Sequence, residues 1–104
     1  MKKSFITVEK VLEFANFQLE REKVMFANEP QKLKELDVLV DAIEEIEMAI
    51  VNPEMRDSVV EEYIGSDPYC WCFLPNFAEL EEEGIDIIEV EFPDGEVTSA
   101  PLLF

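Results

Sequence analysis

The sequence predicts an α+β fold, in which an N-terminal antiparallel helical hairpin and a third short helix pack on a small C-terminal antiparallel sheet that contains a β-hairpin. Three patterns lead to this prediction. Apolar residues recur every three or four positions between residues 8 and 51, which is the spacing of amphipathic helices. Residues 88–92 instead alternate between apolar and acidic, as a half-buried strand does. A Pro-Asp-Gly turn follows directly, and it predicts the β-hairpin.

The first helix is predicted to begin after Thr7, which serves as its N-cap, and to run to about Asn28. The residues expected to face the core are Val8, Val11, Leu12, Ala15, Leu19 and Phe26. A second apolar group lies off this stripe and consists of Phe14, Phe17, Val24 and Met25. A helix that is apolar on two sides is either covered by two layers or exposes a contact surface. We favour the covered arrangement, because Phe is most often a core residue.

A second helix is predicted from Pro30, which is tolerated in a first turn, to Val51. Steps of three and four separate Leu36, Leu39, Ile43, Ile46 and Ile50, which is the a/d spacing of a packed helix pair. Because the connection to the first helix is short, the two helices should form an antiparallel hairpin. The same five residues are the alternative seam of a homodimer, but little more than two heptads favours pairing within the chain.

A third, short helix is predicted from Asn52-Pro53-Glu54 to Gly65. The first three residues are a cap, a proline and an acid, which are typical of a helix start, and the glycine is typical of a helix end. After a turn at 66–68, the aromatic and apolar segment 69–74 is interpreted as a strand or a buried extended segment.

The C-terminal elements are predicted from turn residues and alternation. Residues 76–83 form a short acidic helix, ended by Gly84. The turn at 92–95 leads into a last strand over 97–100. Pro101 has no N–H to donate, which places this strand at an edge of the sheet.

Length and composition predict one folded domain over residues 1–104, with a helical part (1–65) and an acidic, β-containing part (66–104). Acid-rich chains are often disordered, but this chain is 48% hydrophobic and has eight Phe and three Gly. We therefore expect a packed core.

The distribution of charge is the most informative feature for function. The net charge is −17, and Arg56 is the last basic residue, followed by 13 carboxylates and no Lys, Arg or His over residues 57–104. Self-repulsion on that scale opposes compactness, so a folded chain that keeps it is expected to act on an external partner through this field.

The predicted partner-binding residues are acids and one aromatic anchor: Glu79, Glu82, Glu83, Asp86, Glu89, Glu91, Asp94, Glu96 and Trp71. Alternate carboxylates on a strand lie about 6.6–6.8 Å apart on one face, and helix positions i, i+3 and i+4 share one side. Acids supply steering, whereas aromatic residues usually carry affinity. The alternative is that these acids only keep a small domain soluble.

The sequence contains no recognisable motif for catalysis or for metal binding. Without His, neither a Ser-His nor a Cys-His dyad can form, and there is no Gly-rich phosphate loop, so we expect no enzyme and no cofactor. Cys70 and Cys72 are too few for a structural zinc site and too close for an unstrained disulfide, and are expected to be reduced core residues. No segment has the spacing of a calcium-binding EF-hand loop.

The charge also limits location and partners. No apolar run approaches a membrane span, and the N-terminus does not fit a secretory signal, so a cytoplasmic protein is expected. Nucleic acid and acidic lipid surfaces would both repel it, so neither is expected to bind directly.

In size, charge and lack of catalytic residues, the chain resembles the nucleic-acid-mimic inhibitors of phages and mobile elements, which block restriction enzymes, CRISPR effectors, glycosylases or nucleoid proteins. The resemblance covers bulk properties without a shared motif, so no functional residue is carried over. It implies a non-enzymatic inhibitor that occupies the basic groove of a nucleic-acid-binding protein. The alternative is a helical-hairpin module that forms a homo-oligomer or docks an apolar partner through Phe14, Phe17, Val24 and Met25.

Overall fold

Six α-helices and three β-strands make up the part of the chain that the computed structural model describes, residues 2–66 and 70–103. In chain order these are β1 (Lys3–Thr7), α1 (Val8–Met25), α2 (Pro30–Glu35), α3 (Asp37–Val51), α4 (Arg56–Val59), α5 (Cys70–Phe73), α6 (Phe77–Glu83), β2 (Ile87–Glu91) and β3 (Val97–Pro101). A 3₁₀ turn, Pro53–Met55, precedes α4, and a π-helical turn, Val60–Ile64, follows it.

The sheet has the order β1-β2-β3, with β2 in the centre. The second strand runs parallel to β1 and antiparallel to β3, so that Phe5, Glu89 and Ser99 lie side by side. Helices packed on a small sheet confirm the α+β prediction, but the sheet is mixed and not purely antiparallel or C-terminal. The segment Lys3–Thr7, assigned to the helical part of the chain, forms a strand because it pairs with β2 more than 80 residues away.

The two faces of the sheet have different environments. On the inner face, Ile88, Val90, Thr98 and Ala100 are buried, and they point toward the helices. The outer face carries the alternate residues of each strand and is covered by no described element. We call this outer side the open face; its members are Lys3, Phe5, Thr7, Ile87, Glu89, Glu91, Val97, Ser99 and Pro101.

Helix α1 begins as predicted. The Thr7 hydroxyl oxygen accepts the backbone N–H of Lys10 at 3.3 Å, which satisfies one of the free donors of the first turn. The predicted core stripe is buried at Val8, Val11, Ala15 and Leu19 and partly buried at Leu12 and Phe26. The helix ends at Met25, three residues before the predicted end.

The second apolar group of α1 is not covered, so the prediction of a second layer is wrong. Phe17 is 60% exposed and Val24 is 78% exposed, and Met25 is also exposed. Phe14 is half-buried and stacks on Phe17 with ring centroids 6.4 Å apart. Helix α1 contacts α3, α5 and β1, and its predicted core stripe is the buried one. The second apolar group therefore faces solvent.

The predicted second helix is two helices that meet at Leu36. There the backbone N–H of Leu36 donates to Leu33 at 3.2 Å, an i to i−3 bond that tightens the last turn of α2. Asp37 then begins α3 and lies in its first turn, where a carboxylate is favourable. The a/d positions of α3 face the core as predicted: Leu39, Ile43 and Ile46 are buried, and Leu36 and Ile50 are partly buried.

The predicted strand over residues 69–74 is wrong for its described part. Residues 70–73 form α5, and the backbone N–H of Leu74 donates to Cys70 at 2.9 Å, whereas Tyr69 lies outside the described residues. A short apolar run is compatible with a buried helix as well as a strand, and here three of the four helical residues are buried.

The third helical segment ends at Gly65, as predicted, in close contact with β3. Its backbone N–H donates to Val60 at 2.9 Å, which closes the π-helical turn, and its carbonyl accepts the N–H of Leu103 at 2.6 Å. A Cβ atom at Gly65 would lie 2.6 Å from the carbonyl oxygen of Pro101. No side chain fits there without moving backbone.

Gly65→Ala is therefore expected to lower the free energy of unfolding by about 1–3 kcal/mol, the usual cost of overpacking a tight site. Urea unfolding followed by circular dichroism measures this loss. The matched control is Ser58→Ala at an exposed position of α4, which should stay within about 0.5 kcal/mol of the parent. Equal stability of the two variants would contradict the close approach at Gly65.

The predicted hairpin is present. Gly95 has φ +87° and donates its N–H to Phe92 at 2.9 Å across the turn, and β3 lies at the sheet edge, with Pro101 at its end. Gly84, with φ +70°, ends α6 in the left-handed conformation that glycine adopts without strain.

Candidate functional site

The acids of α6 are exposed as predicted. Glu79, Glu82 and Glu83 face solvent, while Leu80 holds the helix to the core. Directly after the helix, the Asp86 carboxylate accepts the backbone N–H of Lys2 at 2.8 Å, and the Lys2 ammonium donates to the Glu83 carbonyl at 3.0 Å. One base from the N-terminal segment therefore lies within this group of acids.

Glu89 and Glu91 lie on the open face, in the central strand. Glu89 lies beside Phe5 and Ser99, and Glu91 lies beside Thr7 and Val97. Their direct cross-strand neighbours are thus apolar or hydroxyl-bearing and carry no positive charge. This is the arrangement predicted from the alternation of the sequence, with two carboxylates about 6.6–6.8 Å apart along one strand.

Asp94 and Glu96 contact Arg56, the last basic residue of the chain. The Nη1 atom of Arg56 donates to the two Asp94 carboxylate oxygens at 2.9 and 3.1 Å, and it lies 3.6 Å from Oε2 of Glu96. Arg56 is only 2% exposed. These two predicted site residues therefore compensate a buried charge inside the molecule, a role that their spacing in the sequence did not reveal.

The other donors of Arg56 complete what we call the Arg56 clasp, formed by Arg56 with Asp94, Glu96 and the end of α3. Nε donates to the Ala49 carbonyl at 2.9 Å, and Nη2 donates to the Ile50 carbonyl at 2.8 Å. Both carbonyls belong to the last four of α3, which have no partner within the helix. The guanidinium also lies 4.3 Å from the centroid of the Phe92 ring. The clasp thus ties α3 to the β2–β3 turn.

The Asp94 carboxyl is held in its charged form. The backbone N–H of Glu96, which donates at 3.0 Å, is the first cause that lowers the pKa of Asp94, and the Arg56 guanidinium is the second. The Asp94 carboxylate therefore stays ionised at neutral pH.

Burial of Arg56 has a large effect on the exposed charge. The first 34 residues hold seven bases and five carboxylates, whereas residues 35–104 hold 20 carboxylates and one base, Arg56. Because Arg56 is buried, all the exposed bases lie before residue 35. The acidic region is therefore larger than predicted and includes exposed acids of α3 and of the π-helical turn, such as Glu44 and Glu61.

Trp71 lies on α5, apart from the predicted acids. It is 40% exposed and lines a cleft of about 380 Å³ between α1, the α2–α3 junction and α5, which we call the Trp71 cleft. None of the eight predicted acids lines it. Its described walls are Gln18, Glu22, Glu35, Leu36, Val38, Leu39, Trp71 and Cys72.

Two groups in this cleft have unusual environments. Gln18 is 5% exposed, and its side-chain oxygen has no hydrogen-bond partner among the described residues. Leaving such an acceptor unpaired costs about 1–3 kcal/mol. Burial first, then the charge of Glu22 and then Cys70, raises the pKa of Cys72 to about 12, so this thiol stays protonated at neutral pH. Cys70 and Cys72 form no disulfide, and both are buried, as expected.

Within the described ranges, no group of three or more His, Cys, Asp or Glu side chains is arranged to hold a metal ion. None of the described helices is long and apolar enough to cross a membrane. No protein family, curated protein or solved structure matches the chain. Function must therefore be inferred from the residues themselves.

Proposed function

We propose that this protein is a non-enzymatic inhibitor or regulator that binds the basic groove of a nucleic-acid-binding protein in place of the nucleic acid. The observation that carries the proposal is the separation of exposed charge along the chain, since residues 35–104 present 20 carboxylates without any exposed base, while Lys2 and Lys3 are the bases that β1 brings near them. Such a field attracts a Lys- and Arg-rich groove and repels nucleic acid itself. The anti-restriction and anti-CRISPR inhibitors of phages and mobile elements are the kind of protein that acts in this way.

The open face supplies the proposed contact. Phe5 and Val97 are exposed there and flank the carboxylates of Glu89 and Glu91. Carboxylates give orientation and fast association, whereas apolar side chains supply area that can be buried against a partner. The acids of α6, which precedes β2 in the chain, add further exposed carboxylates.

Competition with nucleic acid tests the proposal. The immobilised protein is exposed to a lysate at low salt, washed, and then treated with excess duplex DNA or RNA. We expect a basic protein to be retained and then released by one of the two nucleic acids, because both would occupy the same groove. Retained proteins that neither nucleic acid displaces would refute the mimicry.

A second candidate function is self-association through α1. Phe14, Phe17, Val24 and Met25 form an apolar strip on a helix surface, and Phe17 and Val24 are largely exposed. Apolar strips of this kind often mark protein contacts. In this alternative the acids serve solubility only.

Phe17→Asp discriminates between the two candidates by sedimentation at several concentrations. If α1 is an interface, the parent should be a dimer or larger, and the variant should be a monomer, because a charge in an apolar contact is costly. The matched control is Met48→Asp at another exposed apolar position, on α3. A parent that is monomeric at every concentration would exclude the self-association.

A further inference from the structure

We propose that the Trp71 cleft binds a small organic cation, in which an amine is carried on an apolar body. Neither the acids of the C-terminal half nor the proposed protein partner is part of this site. The inference is therefore independent of the proposed function.

The size and walls of the cleft define the body of the ligand. A volume of about 380 Å³ lies within the usual range of small-molecule sites. Leu36, Val38, Leu39 and the Trp71 ring supply an apolar lining around most of it. An aromatic or aliphatic group of matching size would replace water there.

One wall of the cleft holds a buried, unpaired hydrogen-bond acceptor. Gln18 lines the cleft and is 95% buried, and its side-chain oxygen is shielded from solvent and has no partner among the described residues. Buried polar groups are nearly always paired, directly or through water. A ligand N–H group bound beside Gln18 would supply the missing donor once the side chain turns its oxygen toward the cleft.

The charges at the cleft favour a cation. Glu22 and Glu35 both line it, and neither forms an ion pair within the described part of the chain. Cys72, with its protonated thiol, adds no negative charge and no strong donor. The ring of Trp71 attracts cations through its π-electrons, and it is the side chain best suited to do so. An anion of the same shape would be repelled.

Trp71 also reports on the site, because it is the only tryptophan of the chain. The test is a titration of its fluorescence with phenethylamine, with 2-phenylethanol as the neutral analogue and 3-phenylpropionate as the anionic one. We expect a saturable change with the amine, about tenfold weaker binding of the alcohol, and no saturation with the carboxylate.

Charge-neutral variants locate the binding. Glu22→Gln and Glu35→Gln should each weaken amine binding about threefold to fivefold and leave binding of the alcohol unchanged. The matched control is Glu20→Gln, which removes an exposed charge from α1 outside the cleft and should have no effect. Glu35 is exposed, so its variant should fold normally even if the change at Glu22 disturbs packing.

Three results would overturn the proposal. These are equal binding of amine and carboxylate, no saturable response to the amine, and amine binding that Glu22→Gln and Glu35→Gln leave unchanged. Saturation by N-acetylarginine amide without saturation by phenethylamine would assign the cleft to a protein side chain and would overturn the assignment to a free amine. Each of these measurements needs no protein partner, so its failure is distinct from failure of the proposed function.

Discussion

Arg56→Met is expected to lower the free energy of unfolding by about 3 kcal/mol, the largest effect of the stability changes predicted here. The substitution removes the donors that satisfy the Ala49 and Ile50 carbonyls at the end of α3. It also removes the charge that compensates Asp94 and Glu96. Chemical denaturation followed by circular dichroism measures the loss.

Arg56→Lys is the matched control for charge. Lysine keeps the positive charge but cannot reproduce the planar set of donors that reaches two carbonyls and a carboxylate together. We therefore expect an intermediate stability. A methionine variant as stable as the parent would show that the clasp contributes nothing net.

The clasp also predicts a dependence on pH. Asp94 has a lowered pKa in the folded protein, so its contribution is complete above about pH 4, the ordinary pKa of an unfolded aspartate, and is lost as pH falls through the lowered value. The difference in stability between the parent and Asp94→Asn should therefore shrink below about pH 4. A difference that stays constant down to strongly acidic pH would contradict this role of Asp94.

Reversal of two charges on the open face is expected to have the largest effect on binding. The partner is the basic protein that DNA or RNA releases in the competition test. Glu89→Lys combined with Glu91→Lys should slow association with it about tenfold or more at low salt. The difference in rate should shrink as salt screens the charges. Association rates measured at several salt concentrations test both statements.

The matched control is Glu44→Lys combined with Glu47→Lys on α3, which changes the net charge from −17 to −13, as the first pair does. If the open face is the contact, the control should slow association much less. Equal slowing by the two pairs would show that only total charge matters, and affinity that salt does not change would contradict electrostatic binding altogether.

Local patterns in the sequence predicted those elements that depend on near neighbours. The cap at Thr7, the periodic stripe of α1, the a/d positions of α3 and the turn at Gly95 all follow from contacts within a few residues. Strand β1 was missed because its evidence is a partner strand more than 80 residues away. Helix α5 was taken for a strand because four residues, three of them buried, are too few to show a period.

The residues of the candidate site likewise include some that local patterns predicted and others whose position depends on distant contacts. The exposure of Glu79, Glu82 and Glu83 follows from helical spacing, and the position of the half-buried Glu89 and Glu91 on the open face follows from local alternation. The sequence did not show that Asp94 and Glu96 would lie against Arg56, since 38 positions separate Arg56 from Asp94. It also did not show that Trp71 would lie beside Glu22 and Glu35, because the break at Leu36 and the helical turn of α5 together form that cleft.

The amino-acid sequence by itself determined the sign and excess of the charge, because these follow from composition alone. It also determined the amphipathic helices and the hairpin, because these depend on the spacing of residues that are close together in the chain. The tertiary structure decided which charges remain free and where the exposed apolar groups lie. A base that is distant in sequence can be buried against two acids, and a helix with two apolar sides can have only one of them covered. Both outcomes depend on which elements pack together, and residue spacing along the chain does not encode that directly.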